Sequence, residues 1–165
     1  MEKVLFAENF GTNAIGTDNI PKYDKSGLTT FYPEDKNNYS YGPGNNASIQ
    51  TVTYTSQTTS GAYVRFPKNN SMMAIKGINL HGSKSLRFLY RKDSANECET
   101  TLYYRFSDSS SWTELASSSS IGLISHDFTI ENPDGKTIDI QVKNRSEVTY
   151  KKYPTVDDWK LVALD

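Results

Sequence analysis

Three acidic residues stand near the two ends of this 165-residue chain. Glu8 belongs to an apolar run that starts at Val4, and Asp157 and Asp158 come directly before the last apolar run. Calcium takes six to eight oxygen ligands, often carboxylates mixed with backbone carbonyls. If the fold brings the two ends of the chain together, these residues could hold Ca²⁺. The alternative is that Glu8 is an exposed strand residue and that the Asp pair forms a solvated turn.

A second group of candidate residues follows from alternation along three segments, 85–91, 101–106 and 137–143. Every second residue there is apolar and is expected to face a core. The opposite face then carries Arg87, Leu89, Arg91, Tyr103, Arg105, Asp139, Gln141 and Lys143. An aromatic ring among fixed polar groups can bind a sugar, and Arg91, Tyr103 and Arg105 are the candidates. The alternative is a solvated sheet face with cross-strand ion pairs.

Aromatic residues also crowd a segment rich in Gly and Pro. Tyr39 and Tyr41, preceded by Phe31 and Tyr32, are predicted in a loop, where recognition residues are often found. The alternative is that these rings cap one end of the core. The two tryptophans of the chain, Trp112 and Trp159, are expected in or near the core.

Motifs of common catalytic sites are missing from the sequence. It contains no H-E-x-x-H, G-x-S-x-G or C-x-x-C pattern, and Cys98 is its only cysteine. Gly135-Lys136-Thr137 is similar to the end of a phosphate-binding loop, but Ile130 stands where that loop requires glycine. The motif search therefore gives no candidate catalytic site. A glycosidase built on two carboxylates stays open as an alternative.

The elements that must position these residues are short strands separated by turns. Their spacing is typical of an all-β sandwich or barrel, and no segment keeps a helical period. The predicted strands cover residues 4–10, 48–55, 62–66, 72–78, 85–91, 101–106, 112–115, 127–131, 137–143 and 158–164, and a further strand could lie at 28–32. The sequence therefore predicts about nine or ten strands and no helix.

Composition agrees with an all-β domain and indicates no strongly charged partner. The 18 Lys and Arg residues nearly balance the 19 Asp and Glu residues, for a net charge of -1. That balance gives no basic surface for nucleic acid. No apolar run is long enough to insert into a membrane, and no signal-peptide pattern precedes the first strand. The length fits one domain, residues 1–165.

Three segments, in this order, resemble the jelly-roll domains of bacterial secreted and surface proteins, which include calcium-binding carbohydrate-binding modules. Leu5-Phe6-Ala7-Glu8-Asn9-Phe10 is similar to the first strand of these domains, and Val156-Asp157-Asp158-Trp159-Lys160-Leu161 to their closing strand. Between them, Tyr104-Arg105-Phe106-Ser107 followed by Ser111-Trp112-Thr113-Glu114-Leu115 resembles a hairpin common in such domains.

The resemblance implies a fold, a metal and a setting. The fold would be a two-sheet antiparallel β-sandwich, a jelly roll of the galactose-binding-like type, with strand 3–9 beside strand 158–164. The metal would be one structural Ca²⁺ held by the side chains of Glu8 and Asp158, with Asp157 undecided. The setting would be a larger secreted or cell-surface protein, from which this domain is excised and whose adjacent domains are its partners.

The function expected on these grounds is that of a non-catalytic accessory module with a polysaccharide ligand. A structural or protein-interaction spacer domain is the main alternative, and a small glycoside-active enzyme is the second. An open groove with exposed aromatic rings would favour the binding module, whereas a flat face of ion pairs would favour the spacer. Two facing carboxylates at the separations found in glycosidases would favour the enzyme.

Overall fold

The computed structural model describes residues 2–8, 39–42, 48–50, 63–66, 70, 72–93, 98–145 and 154–165. At Glu8, Tyr63 and Arg65, and throughout 39–42 and 48–50, the description is of the backbone. The strands in these ranges are β1 (Lys3–Glu8), β2 (Tyr39–Gly42), β3 (Ser48–Gln50), β4 (Tyr63–Arg65), β5 (Met72–Asn79), β6 (Ser85–Asp93), β7 (Thr100–Phe106), β8 (Thr113–Ser118), β9 (Gly122–Thr129), β10 (Thr137–Asn144) and β11 (Thr155–Ala163). Over this part of the chain there is no helix long and apolar enough to cross a membrane.

The strands form two sheets in which every pairing is antiparallel. The order in the larger sheet is β3-β4-β11-β6-β9, with β1 also paired to β11. The order in the five-stranded sheet is β2-β5-β10-β7-β8. The predicted all-β, two-sheet antiparallel sandwich is therefore confirmed.

The core lies between the sheets and is built by the alternation seen in the sequence. In β6 the side chains of Leu86, Phe88 and Tyr90 are buried while the residues between them are partly exposed. The rings of Trp159 and Phe88 form a T-shaped pair with 5.7 Å between ring centroids, so Trp159 lies in the core as predicted. Burial of each large apolar side chain contributes about 1.5–3 kcal/mol.

Strand β11 has two successive partners along one of its sides. Its first residues, Thr155 and Val156, pair with β4, and from Trp159 onward it pairs with β1. The other side pairs with β6, and that register shifts between Asp157 and Lys160. Asp158 has a φ of 51° at this bulge, in the left-handed region. The predicted neighbourhood of the first and last strands is thus confirmed, and the two aspartates lie where β11 changes partner.

Two segments differ from the sequence-based prediction. Tyr39 and Tyr41 were predicted in a loop, but their backbone forms β2 at the edge of the five-stranded sheet. Four residues between turn-forming segments give too short an alternation to identify a strand. Strand β9 begins at Gly122 rather than at 127, because it pairs with β6 over that whole length. The possible strand at 28–32, with Phe31 and Tyr32, lies outside the described residues.

Candidate functional site

The polar side chains predicted to share one face lie on two different sheets. Arg91 is in β6 of the larger sheet, whereas Tyr103 and Arg105 are in β7 of the five-stranded sheet. Alternation identifies which side chains point away from the core, but both sheets of a sandwich have such a side. The structure therefore does not bring Arg91 together with Tyr103 and Arg105.

The outer side of the five-stranded sheet brings together the larger part of the candidate residues. We call it the polar face. The register of β10 against β7 places Lys143 opposite Thr101, Gln141 opposite Tyr103 and Asp139 opposite Arg105. Directly opposed residues in an antiparallel pair point to the same side of the sheet. The polar face consists of Thr101, Tyr103, Arg105, Asp139, Gln141 and Lys143, together with Trp112 and with Glu114, which lies opposite Tyr103 in β8.

Asp139 fixes one end of the polar face. Asp139 is 1% exposed, and its carboxylate accepts three hydrogen bonds. Oδ2 accepts from Nε of Arg105 at 2.8 Å, and Oδ1 accepts from Oγ of Ser107 at 2.7 Å and from the backbone N–H of Gly77 at 2.9 Å. A charged group with this many fixed partners holds its neighbours in one arrangement. The guanidinium of Arg105 is therefore set in place before any ligand arrives.

Both aromatic rings of the polar face carry a cation on one side. The guanidinium carbon of Arg105 lies 4.2 Å from the centre of the Trp112 ring, and Nζ of Lys143 lies 5.3 Å from the centre of the Tyr103 ring. The prediction of Trp112 in or near the core is wrong, because its ring is partly exposed and packs on Arg105. Its position just after a serine-rich turn was the available signal for a surface role.

The loop tyrosines join the same sheet. The Cα atoms of Tyr39 and Tyr41 lie opposite those of Ile75 and Met73 in β5, and their side chains lie outside the described part of the chain. Among the five predicted ligand-binding residues, Tyr39, Tyr41, Tyr103 and Arg105 share the five-stranded sheet, and Arg91 lies on the other. Their role in binding stays a prediction.

The predicted metal residues meet at the bulge of β11. The Cα of Glu8 lies opposite that of Trp159, so the backbone of Glu8 is close to Asp158, while the Glu8 side chain lies outside the description. Asp157 is fully buried, and its Oδ1 accepts a hydrogen bond from the backbone N–H of Asp158 at 2.8 Å. The carboxylate of Asp158 lies 3.5 Å from Nε of Arg91.

The electrostatics at Asp158 are mixed. Partial burial raises the pKa of this carboxyl, and the nearby charges of Arg91 and Lys160 lower it by less. Among the described side chains, no group of three or more His, Cys, Asp or Glu residues could hold a metal ion. Since the Glu8 side chain is not among them, the calcium site of Glu8 and Asp158 stays a prediction.

A third polar group lies inside the sandwich and was not expected from the sequence. Lys92 is 0% exposed, on the same side of β6 as Tyr90. Its ammonium donates to the carbonyl of Cys98 at 2.7 Å, the hydroxyl of Thr100 at 3.2 Å and the carbonyl of Ser118 at 2.5 Å. Burial lowers the pKa of Lys92 from 10.5 to about 8. The parity of Lys92 with Leu86 and Tyr90 was the signal, and the rarity of buried lysine masked it.

Comparison with known proteins gives similarity of structure without similarity of sequence. No family model matches the sequence, and no curated protein does. The CBM22-1–GH10 modules of endo-1,4-β-D-xylanase 10B from Clostridium thermocellum, complexed with xylohexaose, match with a TM-score of 0.63 at 10% identity. That match covers 100% of this chain and 29% of the other, so this chain spans less than a third of that protein.

A second structure matches over nearly the whole of both chains. It is the CBM22-1 xylan-binding domain of Xyn10C from Paenibacillus barcinonensis, with a TM-score of 0.57 at 8% identity. The match covers 99% of this chain and 96% of that domain. At such low identity, what is shared is the fold. The chain is therefore a jelly-roll β-sandwich domain of the kind found in carbohydrate-binding modules, as the resemblance of its terminal segments implied.

Proposed function

We propose that this domain is a non-catalytic carbohydrate-binding module and that the polar face is its binding site. The observation that carries the proposal is the fixed arrangement of Arg105, Asp139 and Trp112 on one outer side of a rigid sheet. Support also comes from a fold that matches a xylan-binding domain over nearly all of its length. The site is placed on the sheet of Tyr103 and Arg105, so Arg91 is left out of it.

The polar face has the two kinds of group that sugar binding requires. Tyr103 and Trp112 offer partly exposed ring surface, while the partly exposed Arg105 and Lys143 offer hydrogen-bond donors. Asp139 has already ordered Arg105, so less side-chain entropy is lost when a ligand binds. Most of these groups stand on adjacent strands, whose spacing of about 4.8 Å is close to the length of one sugar ring.

The experiment that tests the proposal is titration calorimetry of the purified domain with soluble xylan, backed by sedimentation with a panel of insoluble polysaccharides. We expect Tyr103→Ala and Trp112→Ala each to weaken binding by about tenfold or more. Arg91→Ala is the matched control, because Arg91 lies on the other sheet and should leave binding unchanged. Binding to none of the polysaccharides would contradict the proposal and favour a structural or protein-interaction domain. Release of reducing sugar by the domain alone would favour the glycoside-active enzyme.

For the metal we propose one structural Ca²⁺ at the bulge of β11, held by Glu8 and an aspartate next to it. The proposal is supported by the register of β1 on β11 and by the two aspartates where β11 changes partner. Asp158 is the predicted ligand, but its carboxylate lies near Arg91, whereas Asp157 is fully buried. A bound Ca²⁺ would clip β1 to β11 and would take no part in contact with the glycan.

A thermal unfolding series with calcium and with chelator tests the metal. At a hundredfold excess over Kd, Ca²⁺ adds about 2.7 kcal/mol to the free energy of unfolding. Asp157→Asn and Asp158→Asn should each be measured, since only the variant of a true ligand loses the calcium-dependent rise in Tm. An unchanged Tm at millimolar calcium, with no heat of binding, would contradict the proposal.

We also propose that the domain belongs to a larger exported protein, secreted or held at the cell surface, whose neighbouring domains it accompanies. The support is the similarity to modules that are joined to a catalytic domain, as in the xylanase 10B structure. Detection of the protein in culture medium or on intact cells, with an antibody against this domain, would test that location. Detection only in the cytoplasm would contradict it.

A further inference from the structure

The two cations that lie over aromatic rings on the polar face differ in one respect. Arg105 is neutralised by the carboxylate of Asp139 at 2.8 Å. Lys143 takes part in none of the ion pairs formed among the described residues. Its ammonium lies above the Tyr103 ring, whose quadrupole attracts a cation but carries no net charge. Among the described residues, therefore, no carboxylate forms an ion pair with the ammonium at this end of the polar face.

The described residues around Lys143 carry charges of both signs. Arg145 follows two residues later in the chain, and Glu114 lies opposite Tyr103 in β8, on the far side of β7 from Lys143. The cross-strand partner of Lys143, Thr101, is neutral, and Gln141, the neighbour of Lys143 in β10 on the same face, is also neutral. Partial burial and then the charge of Arg145 lower the pKa of Lys143. Both causes disfavour the charged form of the Lys143 ammonium. A negative group placed over Tyr103 would stabilise that charged form, and the group would itself bind to a cation that is already in position.

The same arrangement favours an anionic group at the end of the polar face where Lys143 lies. A sugar that stacks on an aromatic ring needs an open ring face, and here one face of Tyr103 is taken by Lys143 and one face of Trp112 by Arg105. A ligand that approaches Tyr103 from the side of Lys143 meets an ammonium first. The chemistry at this end favours an anionic oxygen group over a hydroxyl.

We propose that the polar face binds glycans that carry an anionic substituent, with Lys143 as the residue that contacts the anionic group. This inference rests on the proposed carbohydrate binding and names the class of glycan. A carboxylate of a uronic acid and a sulfate ester would both supply the anionic oxygen. In either case the neutral part of the chain would lie toward Arg105 and Trp112.

Two matched pairs of polysaccharides test the inference by calorimetry. The first pair is glucuronoxylan and the same polymer after carboxyl reduction. The second is a sulfated galactan and its desulfated form. We expect at least one anionic member to bind about tenfold more tightly than its neutral counterpart, with an affinity that falls as salt is raised. The pair that shows the difference identifies the source of the anionic group.

Variants then assign the effect to Lys143. Lys143→Gln should remove the preference, so that the anionic and the neutral member of the pair bind with equal affinity. Lys160→Gln is the control, because Lys160 is an exposed lysine of the other sheet. Equal affinity for both members of both pairs would overturn the inference and leave the proposed function standing. A preference that survives in Lys143→Gln would overturn the role of Lys143, and binding to no polysaccharide would overturn the proposed function itself.

Discussion

Lys92 gives the sharpest test of how this sandwich is stabilised. Its ammonium is enclosed between the sheets and donates to two carbonyls and one hydroxyl. The perturbation is Lys92→Met, which keeps an unbranched side chain of similar length and removes the charge. The variant loses the charge and its hydrogen bonds. Each carbonyl that loses this buried donor lowers the free energy of unfolding by about 1–3 kcal/mol. At pH 7 that loss opposes the gain from removing a buried cation, so the net change there is small.

The wild type and Lys92→Met should differ in how the free energy of unfolding depends on pH. The pKa of Lys92 is about 8 in the folded chain and 10.5 in its ordinary surroundings. Between those values the unfolded chain binds more protons than the folded chain, so the free energy of unfolding rises with pH. The full effect is about 3 kcal/mol, present as a loss of stability below pH 8 and relieved above pH 10.5. From pH 8 to pH 10 the wild type should gain about 2 kcal/mol relative to Lys92→Met.

Urea denaturation of both proteins at several values between pH 7 and pH 10 measures this gain. Taking the difference between the two proteins removes the contributions of titrating groups that do not interact with Lys92. Lys160→Met, at an exposed lysine, should follow the wild type at every pH. Parallel curves for wild type and Lys92→Met would refute the reasoning, since they would mean that the ammonium keeps its ordinary pKa in the folded protein.

Three further predictions concern packing and backbone geometry. Asp139→Asn should lower the free energy of unfolding by about 2–3 kcal/mol and shift the fluorescence of Trp112, because the hold on the arginine above that ring is weakened. Phe88→Ala should lower the free energy of unfolding by about 3–5 kcal/mol in urea denaturation. It should also shift the fluorescence emission of Trp159, whose ring Phe88 contacts, to longer wavelength, and an unchanged spectrum would contradict that packing. Gly135→Ala should lower the free energy of unfolding by about 1 kcal/mol, because φ is 68° and no atom lies near the added Cβ, so that backbone strain is the whole effect. Gly135→Asn should lower it by less, because Asn adopts this backbone conformation more easily. Equal losses for the two variants would contradict this account.

The sequence allowed the fold to be predicted because the signals that define it are local or terminal. Alternation in β6, β7 and β10 identified the core side chains, and the end motifs identified β1 and β11 as neighbours. Strand β2 was missed because four residues are too few for a pattern. The early part of β9 was missed because Gly122 and His126 stand at inward positions and Leu123 at an outward one, so the apolar alternation is broken.

The candidate site could be predicted only in part, for a geometric reason. Alternation assigns each residue to the inner or outer side of its own strand, but it does not say which sheet the strand joins. The sequence therefore made Arg91 and Arg105 equally good candidates for one face. Only the strand pairing shows that they lie on different sheets. Trp112 was assigned to the core by its size, although a cation on an outer face can hold such a ring equally well.

The shared side of β11 has a mechanical consequence. Lys3 lies opposite Ala163, so a pull applied through these two residues loads one end of the β1–β11 ladder. The hydrogen bonds then break one after another, as in a zipper, because each bond lies along the direction of pulling. A pull through residues 8 and 163 would instead load the ladder along its length and strain all its bonds together. We expect force spectroscopy to show a lower rupture force for the first attachment. Tension carried through the ends of this domain would thus open β1 first, leaving β4 on the other stretch of β11.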